Sequence, residues 1–119
     1  MHRFKELKVW QKSIDLSVNI YKATDLFPKK EQYSIVQQLN RAAVSVASNI
    51  AEGAGRNSDK EFVNFLSIAV GSCCELETQL IISNRIGFVS NENLDILVKS
   101  IFEIQNMIYS LQTKIKSKS

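Results

Sequence analysis

Apolar residues recur along this chain at three- and four-residue spacing, with polar residues filling the gaps. The clearest run is Leu94, Leu97, Ile101, Ile104, Ile108, Leu111 and Ile115, in strict alternation of three and four. This is a heptad seam, the pattern of a helix packed at a shallow angle against its neighbours. Phe62, Leu66, Ala69, Cys73, Leu76 and Leu80 form a second stripe, with Phe65 beside it, and Val36, Leu39, Ala43, Val46 and Ile50 form a third. No period-two alternation competes with these readings.

Punctuation is sparse. Pro28 is placed to close a first helix, Gly53 and Gly55 a second, and Gly87 a third. Ser58 followed by Glu61 is a capping box for the third helix, and Ser90 caps a fourth. The pattern predicts helices near residues 5–26, 32–52, 59–86 and 91–116, with a basic tail over 114–119. Four helices joined by short turns predict one all-α domain over 1–119, an antiparallel up-down-up-down four-helix bundle.

The first helix has more apolar surface than a bundle needs. Leu7, Trp10, Ile14, Val18 and Tyr21 share one face. Val9, Leu16, Ile20, Ala23 and Phe27 share another, with Ser13 and Ser17 between the two. The narrow polar remainder carries Lys8, Lys12, Asp15, Asn19 and Lys22. A surface helix needs one apolar stripe. The surplus, joined by Val98, Phe102 and Tyr109 on the fourth helix, predicts a subunit interface and a homo-oligomer, in preference to a wide core-facing arc. The pattern leaves open which face is core and which is interface.

Opposite the core stripe of the second helix lie Gln38, Arg41, Ser45, Ser48, Asn49 and Glu52. Its many Ala and Ser residues make it slender, so a neighbouring backbone can approach. Gly71 in the third helix is read the same way, because Gly in a helix interior costs about 1 kcal/mol relative to Ala and needs a packing reason.

Composition narrows the chemistry. The chain has 119 residues, 45% apolar and 23% charged, enough for a core without staples. The one histidine, His2, sits near the terminus and no Glu-x-x-His pair exists, which argues against a metal site and against Ser-His-Asp catalysis. Cys73 and Cys74 are neighbours that point about 100° apart on a helix, so they read as free thiols in a reducing cytoplasm. Neither a signal peptide nor an apolar run of roughly 18 residues is visible, which predicts a cytoplasmic protein with no membrane partner. Gly53-Ala54-Gly55-Arg56 joins two helices with no strand before it, so it is not a phosphate loop. No catalytic constellation or cofactor motif is found, and the chain is predicted to be no enzyme.

The net charge is +3, from 15 basic and 12 acidic residues, unevenly spread. Residues 1–30 carry seven basic and three acidic groups, and residues 31–113 carry five and nine. No interleaved aromatic and basic motif of a single-strand binder is seen. The candidates for nucleic-acid binding or a subunit interface are Arg41, Ser45, Asn49, Glu52 and Arg56, with Lys8, Lys12 and Lys22. Arg56 has two readings: an ion pair with Glu52, or an anion site at the start of the third helix.

The most specific stretch is Arg41-Ala42-Ala43, then Ser45, then Asn49-Ile50-Ala51-Glu52-Gly53-Ala54-Gly55-Arg56. Around it stand Phe4, Leu7, Trp10-Gln11-Lys12, Ile20-Tyr21, Phe27-Pro28, Tyr33, Phe65-Leu66, Gly71-Ser72 and Gly87. Over roughly residues 4–113 the chain resembles the bacterial four-helix-bundle family that includes proteins encoded in intervening sequences of 23S ribosomal RNA genes. It is also similar to the accessory variability proteins of diversity-generating retroelements. The resemblance implies a bundle that assembles into a cyclic pentamer with a central channel. Through the retroelement members it implies contact with nucleic acid and with a nucleic-acid-processing protein, a reverse transcriptase. Two functions follow as expectations: a non-enzymatic oligomeric accessory factor that binds structured RNA or a nucleoprotein, or a homo-oligomeric protein-interaction scaffold with no nucleic-acid role.

Overall fold

The computed structural model describes residues 2–118, and its secondary structure is entirely helical. Among these residues four α-helices follow in order: α1 (Lys8–Thr24), α2 (Ile35–Ala54), α3 (Asp59–Arg85) and α4 (Asn91–Lys118). Single 3-10 turns, Phe4–Glu6 and Lys29–Glu31, precede α1 and α2. Each helix packs on the next, α4 closes against α1, and α2 with α3 forms the most extensive pairing.

That pairing follows from side-chain size. Ala42, Ala43 and Ala47 are buried on α2, so α3 approaches closely and seats Leu66, Ala69, Cys73 and Leu76 against Leu39, Val46 and Ile50. Each fully buried Leu, Ile or Phe side chain contributes about 1.5–3 kcal/mol relative to exposure. On α4 the seam runs as expected through Leu97, Ile101, Ile104, Ile108 and Ile115, with Leu94 and Leu111 half-buried. Gln112 is also buried there. Its Nε2 donates to the Val63 carbonyl at 3.1 Å and to Ser67 Oγ at 2.9 Å, so it stays satisfied against α3.

The structure resolves the two faces of α1. Val9, Leu16 and Ile20 are core, and Phe27 beyond the helix joins them. Ser13, expected between the faces, is in the core at 0% exposure, and its hydroxyl donates to the Val9 carbonyl at 2.7 Å. Ile14, Val18 and Tyr21 remain exposed, while Leu7 and Trp10 are half-buried.

Several boundaries differ from the expected ones for local reasons. Leu7 is extended, so residues 4–6 form a separate turn and Phe4 packs edge-on against Trp10, centroids 5.2 Å apart. α1 stops at Thr24, whose Oγ1 bonds Asn40 Oδ1 on α2 at 3.0 Å. Pro28 therefore opens the following turn and does not close the helix. α2 begins at Ile35 and continues through Gly53, and Gly55 ends it in a right-handed conformation. Gly53 is glycine because a Cβ there would meet Phe65 Cβ at 2.6 Å. The close approach expected at Gly71 is absent within this chain: that position is exposed, with nothing within 4 Å of an added Cβ.

The ends of α3 form as expected. Glu61 N–H donates to Ser58 Oγ at 3.2 Å, and Ser58 Oγ donates to Glu61 Oε2 at 3.2 Å. At the other end Phe88 N–H bonds Ser83 O and Gly87 N–H bonds Asn84 O, with Gly87 at φ 91°. Ser90 Oγ accepts from Asn93 N–H at 3.1 Å and opens α4. Lys114, Lys116 and Lys118 lie on the last turns of α4 and form no separate tail, while Met1 and Ser119 lie outside the described residues. By length and composition α3 could cross a membrane, but its apolar stripe is the one packed between α2 and α4.

Candidate functional site

The polar face of α2 assembles into one run of contacts. Ser45 Oγ and Ser72 Oγ of α3 are 2.9 Å apart. Asn49 Nδ2 donates to the Ser45 carbonyl at 2.8 Å and to Ser45 Oγ at 3.0 Å. One turn on, Arg56 Nη2 donates to Glu52 Oε1 at 3.0 Å, and the guanidinium carbon lies 4.8 Å from the Phe65 ring centroid. The N-terminal segment closes the same corner: His2 N–H donates to the Ala54 carbonyl at 2.7 Å, and its ring packs on Phe62 at 4.8 Å.

These groups are engaged with one another and hold the α2–α3 corner. The Glu52–Arg56 pair is solvent-exposed, so it contributes only about 0.5 kcal/mol. The start of α3 is already capped by Ser58. Of the two sequence readings of Arg56, the ion pair with Glu52 is the one formed.

Arg41 stands apart from that run. It lines a groove of about 620 Å³ between the end of α1, the connecting turn and the first turns of α2. Tyr21, Asp25, Lys29, Tyr33 and Asn40 line the same groove. A neighbouring hollow of about 530 Å³ shares Tyr21 and Asp25 and adds Ile14, Val18 and Lys22. Asp25 is the only carboxylate lining either space. Among the described residues, Arg41, Lys22 and Lys29 have no carboxylate within ion-pair distance. The groove is held by the Thr24–Asn40 hydrogen bond.

The lysine candidates divide. Lys8 and Lys12 lie on the exposed side of α1, and Lys12 Nζ bonds Glu103 Oε1 of α4. Lys22 alone reaches the groove region, through the neighbouring hollow. Sequence reasoning missed the grouping of Tyr21 and Tyr33 with Arg41 and Lys29, because its members come from α1, the connection after it and α2, which meet only when the connection folds the two helices together. The available signal was Tyr21-Lys22 before that turn and Lys29 to Tyr33 after it. Among the described residues no three His, Cys, Asp or Glu side chains converge as metal ligands.

A family model described as 23S rRNA-intervening sequence protein matches residues 5–110. A crystal structure of a protein of unknown function from the S23 ribosomal protein family of Bacteroides thetaiotaomicron VPI-5482 is similar at a TM-score of 0.79 and 25% identity. The match covers 87% of this chain and 97% of that one. No curated protein matches the chain.

Proposed function

The chain belongs to the 23S rRNA-intervening sequence protein family, and from that premise we propose that it is a non-enzymatic, homo-oligomeric helical bundle that binds structured RNA in the cytoplasm as an accessory to a nucleic-acid-processing partner. The observation that carries this reading is positive charge gathered at the end of α1, the turn after it and the start of α2. Lys22, Lys29 and Arg41 stand there with no described carboxylate within ion-pair distance, and Lys8 is a further unpaired cation at the far end of α1. Cations held this way are available to phosphates and release counterions on binding.

An up-down-up-down course for the helices is supported by the hydrogen-bond registers. Ser17 bonds Ala43 while Thr24 bonds Asn40, and Ser45 bonds Ser72 while Gln38 bonds Gln79. Self-association is supported by the apolar side chains left exposed on α1, where Ile14 and Val18 lie one turn apart, and by Phe102 and Tyr109 on α4. The cyclic pentamer rests on the family resemblance alone. The same exposed side chains favour a second reading, a protein-interaction scaffold with no nucleic-acid role.

A mobility-shift titration with structured RNA at several salt concentrations separates the two. Binding through phosphates weakens linearly in log salt, and an oligomer that gives no shift at low salt is the scaffold. Light scattering that returns the mass of one subunit at micromolar protein overturns self-association.

A further inference from the structure

We propose that the groove between the end of α1 and the start of α2 takes an unpaired nucleotide of an RNA strand, with its base against Tyr21 and Tyr33 and its phosphate at Arg41 and Lys29. The proposal rests on the RNA-binding reading and names the part of the surface that does it.

Size, charge and hydrogen-bonding capacity agree. A space of about 620 Å³ falls within the range of small-ligand sites. Tyr33 is 83% exposed and Tyr21 52% exposed, so each ring has a free face. Aromatic faces take any base by stacking, because every base has a π-face, so such contacts tolerate different sequences. Arg41 and Lys29 supply two cations against the single carboxylate of Asp25, and no described carboxylate lies within ion-pair distance of either.

Asn40 adds a fixed polar group. Its Oδ1 accepts from the Thr24 hydroxyl at 3.0 Å, which sets the orientation of the amide. Asn40 lines the groove, and its Nδ2 has no hydrogen-bond partner among the described residues, which leaves it free to donate to a base edge. Asp25 is the complementary acceptor, suited to an exocyclic amine or a ribose 2′-hydroxyl. A duplex cannot use such a site, because its bases are stacked on one another. A single-stranded segment or a loop can.

The test is fluorescence anisotropy of a labelled oligouridylate, with a duplex RNA of equal length as comparison, at several salt concentrations. Wild type is expected to prefer the single strand. Tyr33→Ala is expected to weaken that binding about five- to 150-fold, the range for one lost base stack, without altering the salt slope. Tyr33→Phe is expected to bind as wild type. Arg41→Ala is expected to make the salt slope shallower by about 0.7, the value for one phosphate contact on a single strand. Lys118→Ala, on the last turn of α4, is expected to change neither quantity.

If wild type binds RNA and both groove variants bind equally well, the groove is not the site, although the RNA-binding reading stands. If wild type binds no RNA at low salt, that reading fails and the groove proposal with it. If Tyr33→Ala lowers the mass by light scattering, the groove seats a second copy of the chain and the nucleotide proposal is overturned.

Discussion

Gly53 and Phe65 meet so closely at the α2–α3 corner that a methyl group on Gly53 would stand 2.6 Å from Phe65 Cβ. The obstructing atom is fixed to the α3 backbone and cannot swing aside. Phe62 adds its Cδ1 at 3.1 Å and its carbonyl oxygen at 3.3 Å. Alanine would gain about 1 kcal/mol of helix propensity here. Overpacking typically costs about 1–3 kcal/mol, and this contact is at the severe end. Gly53→Ala is therefore expected to lower the urea midpoint. An unchanged or raised midpoint would show that the corner relaxes freely.

Gly71 is the opposite case. It sits mid-helix, exposed, with nothing within 4 Å of an added Cβ. Gly71→Ala is expected to stabilise the protein by about 0.8–1 kcal/mol, read as a higher urea midpoint with an unchanged slope. A lower midpoint together with a lower mass by light scattering would place another subunit against this position.

These two glycines show where the sequence was legible. The stripes of α2 and α3 could be read because each is a continuous apolar line, and that of α4 because its three-and-four seam is unbroken beside the second set at Val98, Phe102 and Tyr109; in each helix that line is what the fold buries. α1 has two apolar lines, and the choice between them depends on which neighbour covers it. Ser13 went into the core because its hydroxyl can bond back to Val9 within the helix, and no periodicity reports that. The capping signals Ser58, Gly87 and Ser90 held because they act within one turn of chain. Pro28 lies beyond the end of α1, because after Thr24 the chain passes into i→i+3 turns, Leu26 N–H to Ala23 O and Phe27 N–H to Thr24 O, before it reaches the proline. The Asn49–Arg56 stretch stood out as a motif, and most of it proved to bond internally. The groove at Arg41 had no motif, since its parts are up to 20 positions apart and meet only in the fold.

The α4 seam should carry a large share of the stability. Ile104 is 2% exposed and Ile108 0%. Either replaced by alanine is expected to destabilise by about 2–5 kcal/mol, the sum of lost transfer energy and an unfilled cavity. Lys118→Ala, on an exposed turn, is expected to leave the denaturation midpoint where it is. Equal midpoints for all three variants would mean that the seam is not the core.

Arg56 makes two contacts and Glu52 only one of them. Removing Arg56 takes away an exposed ion pair of about 0.5 kcal/mol and a cation–π contact of about 0.5–1 kcal/mol. Removing Glu52 leaves the contact with Phe65 in place. Arg56→Ala is expected to lower the melting temperature by several degrees and Glu52→Ala by clearly less. Because its guanidinium is engaged, Arg56→Ala is also expected to leave the salt slope of RNA binding unchanged, unlike Arg41→Ala. Equal melting effects would show that the ring contact contributes nothing.

Cys73 and Cys74 are adjacent in sequence and opposite in environment. Cys73 is buried and Cys74 exposed. Burial, then the neighbouring Cys74 and the carboxylate of Glu77, push the Cys73 thiol from the ordinary 9.0 up to about 12. A thiol reagent at mild pH is expected to modify Cys74 in the folded protein and both cysteines after denaturation. A stability effect follows in alkali. Above pH 9 the unfolded chain loses the Cys73 proton while the folded chain keeps it, so the unfolded state binds fewer protons and stability falls as pH rises. The loss runs between about pH 9 and 12 and ends when the folded thiol also ionises. The comparison is with Cys73→Ala, which retains every other titratable group of the chain. That variant starts less stable because of the atoms removed, and its stability is expected to decline less steeply over this window. Parallel curves for the two proteins would mean that the Cys73 thiol ionises as readily in the folded chain as in the unfolded one.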